Sequence, residues 1–216
     1  MKNILGLVAF LVLSGCAFKV PQALIEAEEQ KCESGNAKSC TIVGQGFVMG
    51  TSGFDKNYEK ARYYLEKVCN KDENITMDKD FFTACSNLGS ICYEGYGVEK
   101  DYKKALELFT ISCDDGNAAS CNNIGVIYGK GQGVKENKAK GVEYYKKSCD
   151  AGEWISYVGC GNIGEYYRDN GDKFKAAQYY KKACDLGKMN IEFFEVLSPE
   201  FKNNWDNFCK MYEKLK

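Results

Sequence analysis

Histidine is absent from all 216 residues. That absence removes histidine-based triads, most zinc hydrolase designs and the commonest general base. Other constellations are missing too. Neither Ser-x-x-Lys nor Lys-Thr-Gly occurs, so the usual serine β-lactamase arrangement is not there. No cysteines stand in Cys-x-x-Cys spacing, which argues further against structural zinc. Gly95-Tyr96-Gly97-Val98 and Gly131-Gln132-Gly133-Val134 follow no strand and precede no Gly-Lys-Ser or Gly-Lys-Thr. They read as inter-helix turns and not as phosphate loops. The net charge is −1, with acids alternating with lysines, so no nucleic-acid partner is expected. No catalytic residue, metal or cofactor is expected.

Long apolar runs are scarce as well, and the one that exists is N-terminal. After Lys2, residues Ile4 to Leu13 are unbroken by charge. The run is too short for a membrane anchor and has the length of a signal-peptide core. It ends in Leu13-Ser14-Gly15-Cys16, which resembles the lipobox of bacterial lipoproteins. The resemblance implies that Cys16 is the lipid-bearing first residue of the mature chain. An ordinary cleaved signal and a secreted product is the other reading. Either way the chain is expected to work outside the cytoplasm, facing the periplasm or the cell surface, where disulfides persist. By resemblance to better-known lipoproteins, Ala17 after the lipid cysteine permits export to the outer membrane.

Cysteine, by contrast, is abundant: twelve residues. "CESGNAKSC" (32–40) and "CDDGNAASC" (113–121) are nearly the same phrase. With the first cysteine in the last turn of one helix, a left-handed glycine at Gly116 and the second cysteine in the first turns of the next helix, the two side chains face each other at bridging distance. The same register predicts Cys32–Cys40, Cys69–Cys85, Cys113–Cys121 and Cys149–Cys160. Each bridge contributes about 2–3 kcal/mol in the chain-entropy model. Cys184 lacks a cysteine eight residues on and is paired with Cys209. Cys92 is left outside the pairs, at an inward-facing position held elsewhere by Phe47, Tyr128 and Tyr167. It reads as a buried thiol behaving as a small hydrophobe; an intermolecular bridge is the alternative.

The phrase sits inside a repeat. Cys113, Cys149 and Cys184 recur at spacings of 36 and 35 residues. Ahead of each lies one amphipathic helix, with a small residue eight before the cysteine (Ala61, Ala105, Gly141, Ala176). Large side chains follow three and four residues later: Tyr64 and Leu65, Leu108 and Phe109, Tyr144 and Tyr145, Tyr179 and Tyr180. Lys146, Lys147, Lys181 and Lys182 crowd last turns, where they suit the helix dipole. A second helical phrase follows each turn and holds Gly44, Gly89, Gly125 or Gly164 at one position. A mid-helix glycine costs about 1 kcal/mol relative to alanine, so its repetition implies close helix packing. Glu165 and Asp169 share a helix face and read as two solvated acids.

Asn-Leu-Gly-x-x-Cys-x-x-Gly-x-Gly-Val at 87–98 and Asn-Ile-Gly-x-x-Tyr-x-x-Gly-x-Gly-Val at 123–134, each followed by a lysine-rich helix, resemble the Sel-one-like repeat (SLR), a longer relative of the tetratricopeptide repeat. With the Cys-x7-Cys phrase added, the chain resembles the Helicobacter cysteine-rich protein family. The resemblance runs from about Leu24 to Cys184. It implies an all-α fold, a right-handed α/α superhelix (solenoid) of disulfide-bridged SLR/TPR-like helix pairs. The divisions expected are a lipoprotein signal peptide at 1–15, an anchored N-terminus with a half-repeat cap at 16–31, the repeat array at 32–184 and C-terminal capping helices at 185–216. An insertion lengthens the Cys69–Cys85 turn, and another sits at Trp154. Ser198 is the expected N-cap of a last helix starting at Pro199, whose Phe201, Trp205, Phe208 and Tyr212 are expected to cover the end of the array, a docking face for a partner being the alternative.

Function follows from the same resemblance. The first helix of each pair lines the concave face of such arrays. Asn87, Asn123 and Asn162 occupy the position where related arrays grip an extended peptide or its carboxylate. An asparagine both donates and accepts, which suits peptide backbone. Bonding of each asparagine to a neighbouring turn of the scaffold is the competing reading. A peptide, protein or peptidoglycan-derived ligand is expected, with the membrane engaged through the lipid anchor and the chain itself a monomer. The alternative function is slow β-lactam hydrolysis or penicillin binding, which the cysteine-rich family implies and no residue here supports.

Overall fold

The structure is a computed structural model. It describes residues 20–50, 53–70, 77–153, 155–188 and 199–216, with side chains in the last segment from 202 onward. The signal segment, Cys16, Ala17, Trp154, Ser198 and the side chain of Phe201 lie outside the described residues, as does much of the Cys69–Cys85 insertion.

Among the described residues there are ten helices and no strand. They fall into two compact units, residues 1–100 and 101–216. The first unit holds α1 (Gln22–Glu33), α2 (Ala37–Met49), α3 (Tyr58–Cys69) and α4 (Lys79–Glu94). The second holds α5 (Tyr102–Asp114), α6 (Ala118–Lys130), α7 (Lys138–Asp150), α8 (Ser156–Asp169), α9 (Lys173–Lys188) and α10 (Pro199–Leu215). The glycine-bearing helices α2, α4, α6 and α8 are called A helices below, and α1, α3, α5, α7 and α9 are B helices.

The boundaries follow from capping chemistry. The side chains of Asn36, Asn57, Asp101, Asn117 and Asn137 accept a hydrogen bond from the backbone N–H three residues on, at 2.8–2.9 Å. Asp172 does the same for Lys175 at 3.0 Å. Each cap contributes about 1 kcal/mol. At the other end, Gly35 and Gly116 take φ of 94° and return their N–H to Cys32 and Cys113. This is the left-handed stop that brings the next helix back antiparallel. Gly95, Gly97, Gly131 and Gly133 also have positive φ, so both Gly-x-Gly-Val segments are tight turns.

Five disulfides follow: Cys32–Cys40, Cys69–Cys85, Cys113–Cys121, Cys149–Cys160 and Cys184–Cys209, with Cα–Cα distances of 4.6–5.0 Å. The first four join a B helix to the A helix that follows it. Cys92 lies outside these bridges, and it is half-buried instead of fully inward-facing. α9 continues one turn past Cys184 to Lys188, so the last repeat helix ends four residues beyond the boundary read from the cysteine.

A and B helices meet through small residues. A Cβ at Gly125 would meet the Tyr145 ring and sit 3.0 Å from the Gly141 carbonyl oxygen; one at Gly141 would sit 2.9 Å from the Gly125 carbonyl oxygen. Gly44 faces Leu65 in the same way, and Gly164 faces the Tyr180 ring. Ala61, Ala105 and Ala176 are fully buried. Within the units, A helices also contact the next A helix: α2 touches α4 and α6 touches α8. α10 packs on α8 and α9 as a further A helix would. The turn before α8 is the imperfect one. Its N-cap is Ile155, without a side-chain cap, and the hydroxyls of Ser148 and Ser156 are buried without a partner.

Candidate functional site: the open stripe of the A helices

An A helix packs between its neighbours and leaves one stripe open. In α6 that stripe, at spacings of four, three and four, is Ala119, Asn123, Val126 and Lys130; in α8 the same positions are Val158, Asn162, Glu165 and Asp169. All eight residues are half-buried or exposed. In the first unit the corresponding residues of α4 are Thr83, Asn87, Ser90 and Glu94. The three predicted asparagines therefore hold one register position, but their side chains behave differently. Asn87 Nδ2 donates to the Thr83 carbonyl of its own helix at 3.0 Å. Asn162 Nδ2 donates across to Asn122 Oδ1 at 2.8 Å. Asn123 is half-buried and makes no side-chain hydrogen bond to another described residue. The three-rung ladder is thus amended: two rungs are engaged by the scaffold, and Asn123 keeps both donor and acceptor available.

Asn122 was missed by the sequence reading, though a signal exists. It is the residue directly after the second bridged cysteine. Its equivalents are Thr41, Ser86 and Gly161. Thr41 Oγ1 donates to the Asp80 carbonyl of α4 at 3.2 Å. Gly161 receives the Phe208 ring of α10. In these three cases the position after the cysteine is the joint between successive A helices, and small or polar residues suit it.

The electrostatics of the stripe centre on Glu165. Its side chain is 37% exposed and that of Asp169 66%, so both acids meet solvent as expected; in addition Glu165 accepts from Tyr180 OH at 2.6 Å and pairs with Arg168, which also binds Asp169 at 2.8 Å. Burial first, and the Glu165 hydrogen bond second, push the Tyr180 phenol well above its usual range. In the first unit Tyr64, which donates to Glu29 at 3.1 Å, is pushed up to about 12 by burial and then by that bond. Neither phenol is a nucleophile or base near neutral pH.

The edge of the A–B pairs carries a repeated stack. Phe47 on Tyr64, Tyr128 on Tyr144 and Tyr167 on Tyr179 are nearly parallel, with centroids 5.7–6.1 Å apart. Lys60, Lys140 and Lys175 lie 4.0–5.1 Å above the first ring of each. Each cation–π contact contributes about 0.5–1 kcal/mol at such exposed sites. A separate open groove of about 510 Å³ runs along the Cys113–Cys121 bridge, lined by Asp114, Asp115, Gly116, Lys147, Asp150 and Ala151. None of the stripe residues lines it. Among the described residues, no cluster of acids and cysteines is arranged to hold a metal ion, and no helix is long and apolar enough to cross a membrane.

Paired A and B helices of this kind match a known repeat. The Sel1 repeat pattern fits residues 37–72, 83–117, 118–153 and 161–188, more than half of the chain. The protein belongs to the Sel1 repeat family. Each matched segment is an A helix followed by a B helix, so the four B-to-A disulfides fall at the boundaries where one Sel1 repeat begins, and not inside a repeat. Among solved structures, the chain is similar to a protective antigen with an SLR fold from uropathogenic Escherichia coli, at 20% identity and a TM-score of 0.63. That match covers 88% of this chain and 40% of the antigen, so this chain spans less than half of the antigen's length. A Sel1 repeat protein from Oxalobacter formigenes is similar at 19% identity and a TM-score of 0.63, covering 91% of this chain and 80% of that one. An immunity protein of Pseudomonas aeruginosa matches at 16% identity and a TM-score of 0.50, covering 89% and 74%. These likenesses concern the fold. No curated protein matches.

Proposed function

We propose that this Sel1 repeat protein is an exported, lipid-anchored scaffold that binds an extended peptide segment on the A-helix stripe of the second unit. The observation that carries the binding reading is Asn123. Its amide is half-buried between Ala119 and Val126, unengaged by the scaffold, while the neighbouring Asn122–Asn162 bond holds the adjoining A helices together. An amide with both functions spare matches the alternating donors and acceptors of an extended backbone. Ala119, Val126 and Val158 supply small apolar contacts beside it, and Lys130 and Asp169 leave both charge signs at the far end of the stripe. The export reading rests on Leu13-Ser14-Gly15-Cys16 together with bridged cysteines at four repeat boundaries, a framework that persists in an oxidising compartment.

The test is a peptide library panned against the mature protein, followed by affinity and melting temperature for Asn123→Ala. The expected outcome is a five- to hundred-fold weaker Kd, roughly the loss of one or two hydrogen bonds, with an unchanged melting temperature. A lowered melting temperature with unchanged affinity retires the reading. The anchor has its own arm: Cys16→Ser abolishes alkyne-fatty-acid labelling and releases the protein from membranes, since a diacyl thioether gives stable attachment. Membrane retention of an unlabelled variant refutes it.

A further inference from the structure

Nine of the ten bridged cysteines are buried; Cys209 is half-buried. Its bridge to Cys184 also has a different task. Cys69–Cys85, Cys113–Cys121 and Cys149–Cys160 link successive repeats, whereas Cys184–Cys209 fastens α10 over the end of the array. Cys32–Cys40 likewise holds a terminal helix, α1, but there both cysteines are buried. Beneath α10 lies a surface shaped for a helix. The Phe208 ring fills the space that a side chain at Gly161 would need, and Trp205 does so at Gly187. Trp205 Nε1 donates to the Cys184 carbonyl at 2.8 Å. Tyr157, Tyr180 and Ala183 are fully buried under this cover, with Phe208 6.1 Å from the Tyr180 ring and 6.3 Å from the Tyr157 ring.

We propose that Cys184–Cys209 is a redox latch and α10 the strap it holds. A dithiol reductant opens this bridge while the four repeat-boundary bridges stay closed, because exposed disulfides are the labile ones and buried ones resist exchange. One thiolate of the reductant attacks Sγ of Cys209, the more accessible partner. The S–S bond breaks, and its electron pair goes to Sγ of Cys184, which takes a proton from solvent. The second thiolate of the reductant then attacks the mixed disulfide and leaves as an oxidised disulfide. Cys209 departs as a thiolate and is protonated. Two electrons have passed from the dithiol to the bridge, and two protons end on the cysteines. Without the crosslink, which closes a loop of 25 residues, the closed-to-open ratio of α10 falls by roughly a few hundred-fold in the chain-entropy model. Opening uncovers Gly161, Gly187, Tyr157 and Tyr180, which α10 covers in the oxidised chain. This device is independent of the peptide reading.

The experiment starts from the oxidised full-length protein in detergent. Dithiothreitol is added for increasing times, thiols are trapped with iodoacetamide, and peptides are identified by mass spectrometry. Cys184 and Cys209 are expected to be trapped at least ten-fold faster than any of the other eight bridged cysteines. At that stage α10 amides exchange hydrogen at least ten-fold faster, while those of α6 and α8 do not change. A Cys184→Ser, Cys209→Ser double variant gives the same exchange pattern without reductant. The proposal is overturned if another bridge opens first or together with this one, or if α10 stays as protected after reduction as before. Limited reduction begins from the folded, oxidised chain, so it decides the matter even if the double variant does not fold.

Discussion

α6 and α7 pack against each other within one Sel1 repeat, and both have thirteen residues. α6 carries one charged residue, Lys130, whereas α7 carries six: Lys138, Lys140, Glu143, Lys146, Lys147 and Asp150. The difference is one of surroundings. An A helix touches two B helices and the next A helix, so its side chains are small, apolar or amide. A B helix keeps a broad outer face in water and holds it with charge. That outer face is laced together by long side chains reaching back to the previous B helix: Lys67 to Glu33, Lys147 to Asp114 and Lys182 to Asp150. The comparison teaches where each kind of residue matters. Close packing resides in the glycine contacts between A and B helices, while the lysines and acids of the B face stay in water.

The sharpest way to break that comparison is Gly125→Ala. Alanine gains about 1 kcal/mol of helix propensity over glycine. Here its methyl would press on the Tyr145 ring and on the Gly141 carbonyl oxygen, 3.0 Å away, and backbone of α7 cannot yield as a flexible side chain would. Overpacking of this kind costs about 1–3 kcal/mol, so the net effect is destabilising. Lys146→Ala on the exposed B face is expected to change stability by less than about 0.5 kcal/mol. Denaturant unfolding of both oxidised variants checks the contrast. Equal stabilities for Gly125→Ala and the parent would show that the A–B contact is looser than the geometry says.

Asn162→Ala sharpens the comparison within the A helices. It removes the 2.8 Å bond to Asn122 and is expected to cost about 0.5–1.5 kcal/mol of stability, measured by denaturant unfolding. Asn123→Ala, four residues along the open stripe from Ala119, is expected to cost nothing measurable in the free protein. If the two variants are equally destabilised, both asparagines are scaffold.

The contrast between these asparagines marks how far the sequence could be read. The helix pairs, the B-to-A bridges, the Gly-x-Gly-Val turns and the close approach at Gly44, Gly125 and Gly164 were all legible, because each depends on local chemistry repeated in register. Asn122 was not, because its role depends on which residue of the next repeat faces it, and that is set by the packing of α6 on α8. Its counterparts Thr41, Ser86 and Gly161 look unrelated until the A helices are seen to touch there. The depth of Cys92 and the Tyr180 bond to Glu165 were missed for a similar reason. A helical wheel predicts the side of the helix but not how deep a neighbour covers it, and Glu165 lies where the Tyr180 hydroxyl of α9 reaches it.

The smallest expected effect lies on the B face of the first unit. Lys67 Nζ donates to Glu33 Oε2 at 2.6 Å, and both side chains are substantially exposed. That hydrogen bond holds the Glu33 carboxyl below its ordinary value, and a second one from the Tyr63 hydroxyl assists. A carboxylate whose pKa is lower in the folded state contributes stability that is fully present above the unfolded value. The contribution is lost as pH falls through the folded value. The lost interaction is screened by solvent, and holding two long side chains in one geometry costs entropy. Lys67→Ala is therefore expected to lower the melting temperature at pH 7 and low salt by no more than about one degree. The difference from the parent should shrink in 1 M salt and vanish near pH 2, where Glu33 is protonated in both proteins. A deficit that persists unchanged at pH 2 would assign the role of Lys67 to its contact over the Tyr63 ring, 4.8 Å from the centroid, and not to the carboxylate. That outcome would place packing, and not charge, on the outer face of the B helices.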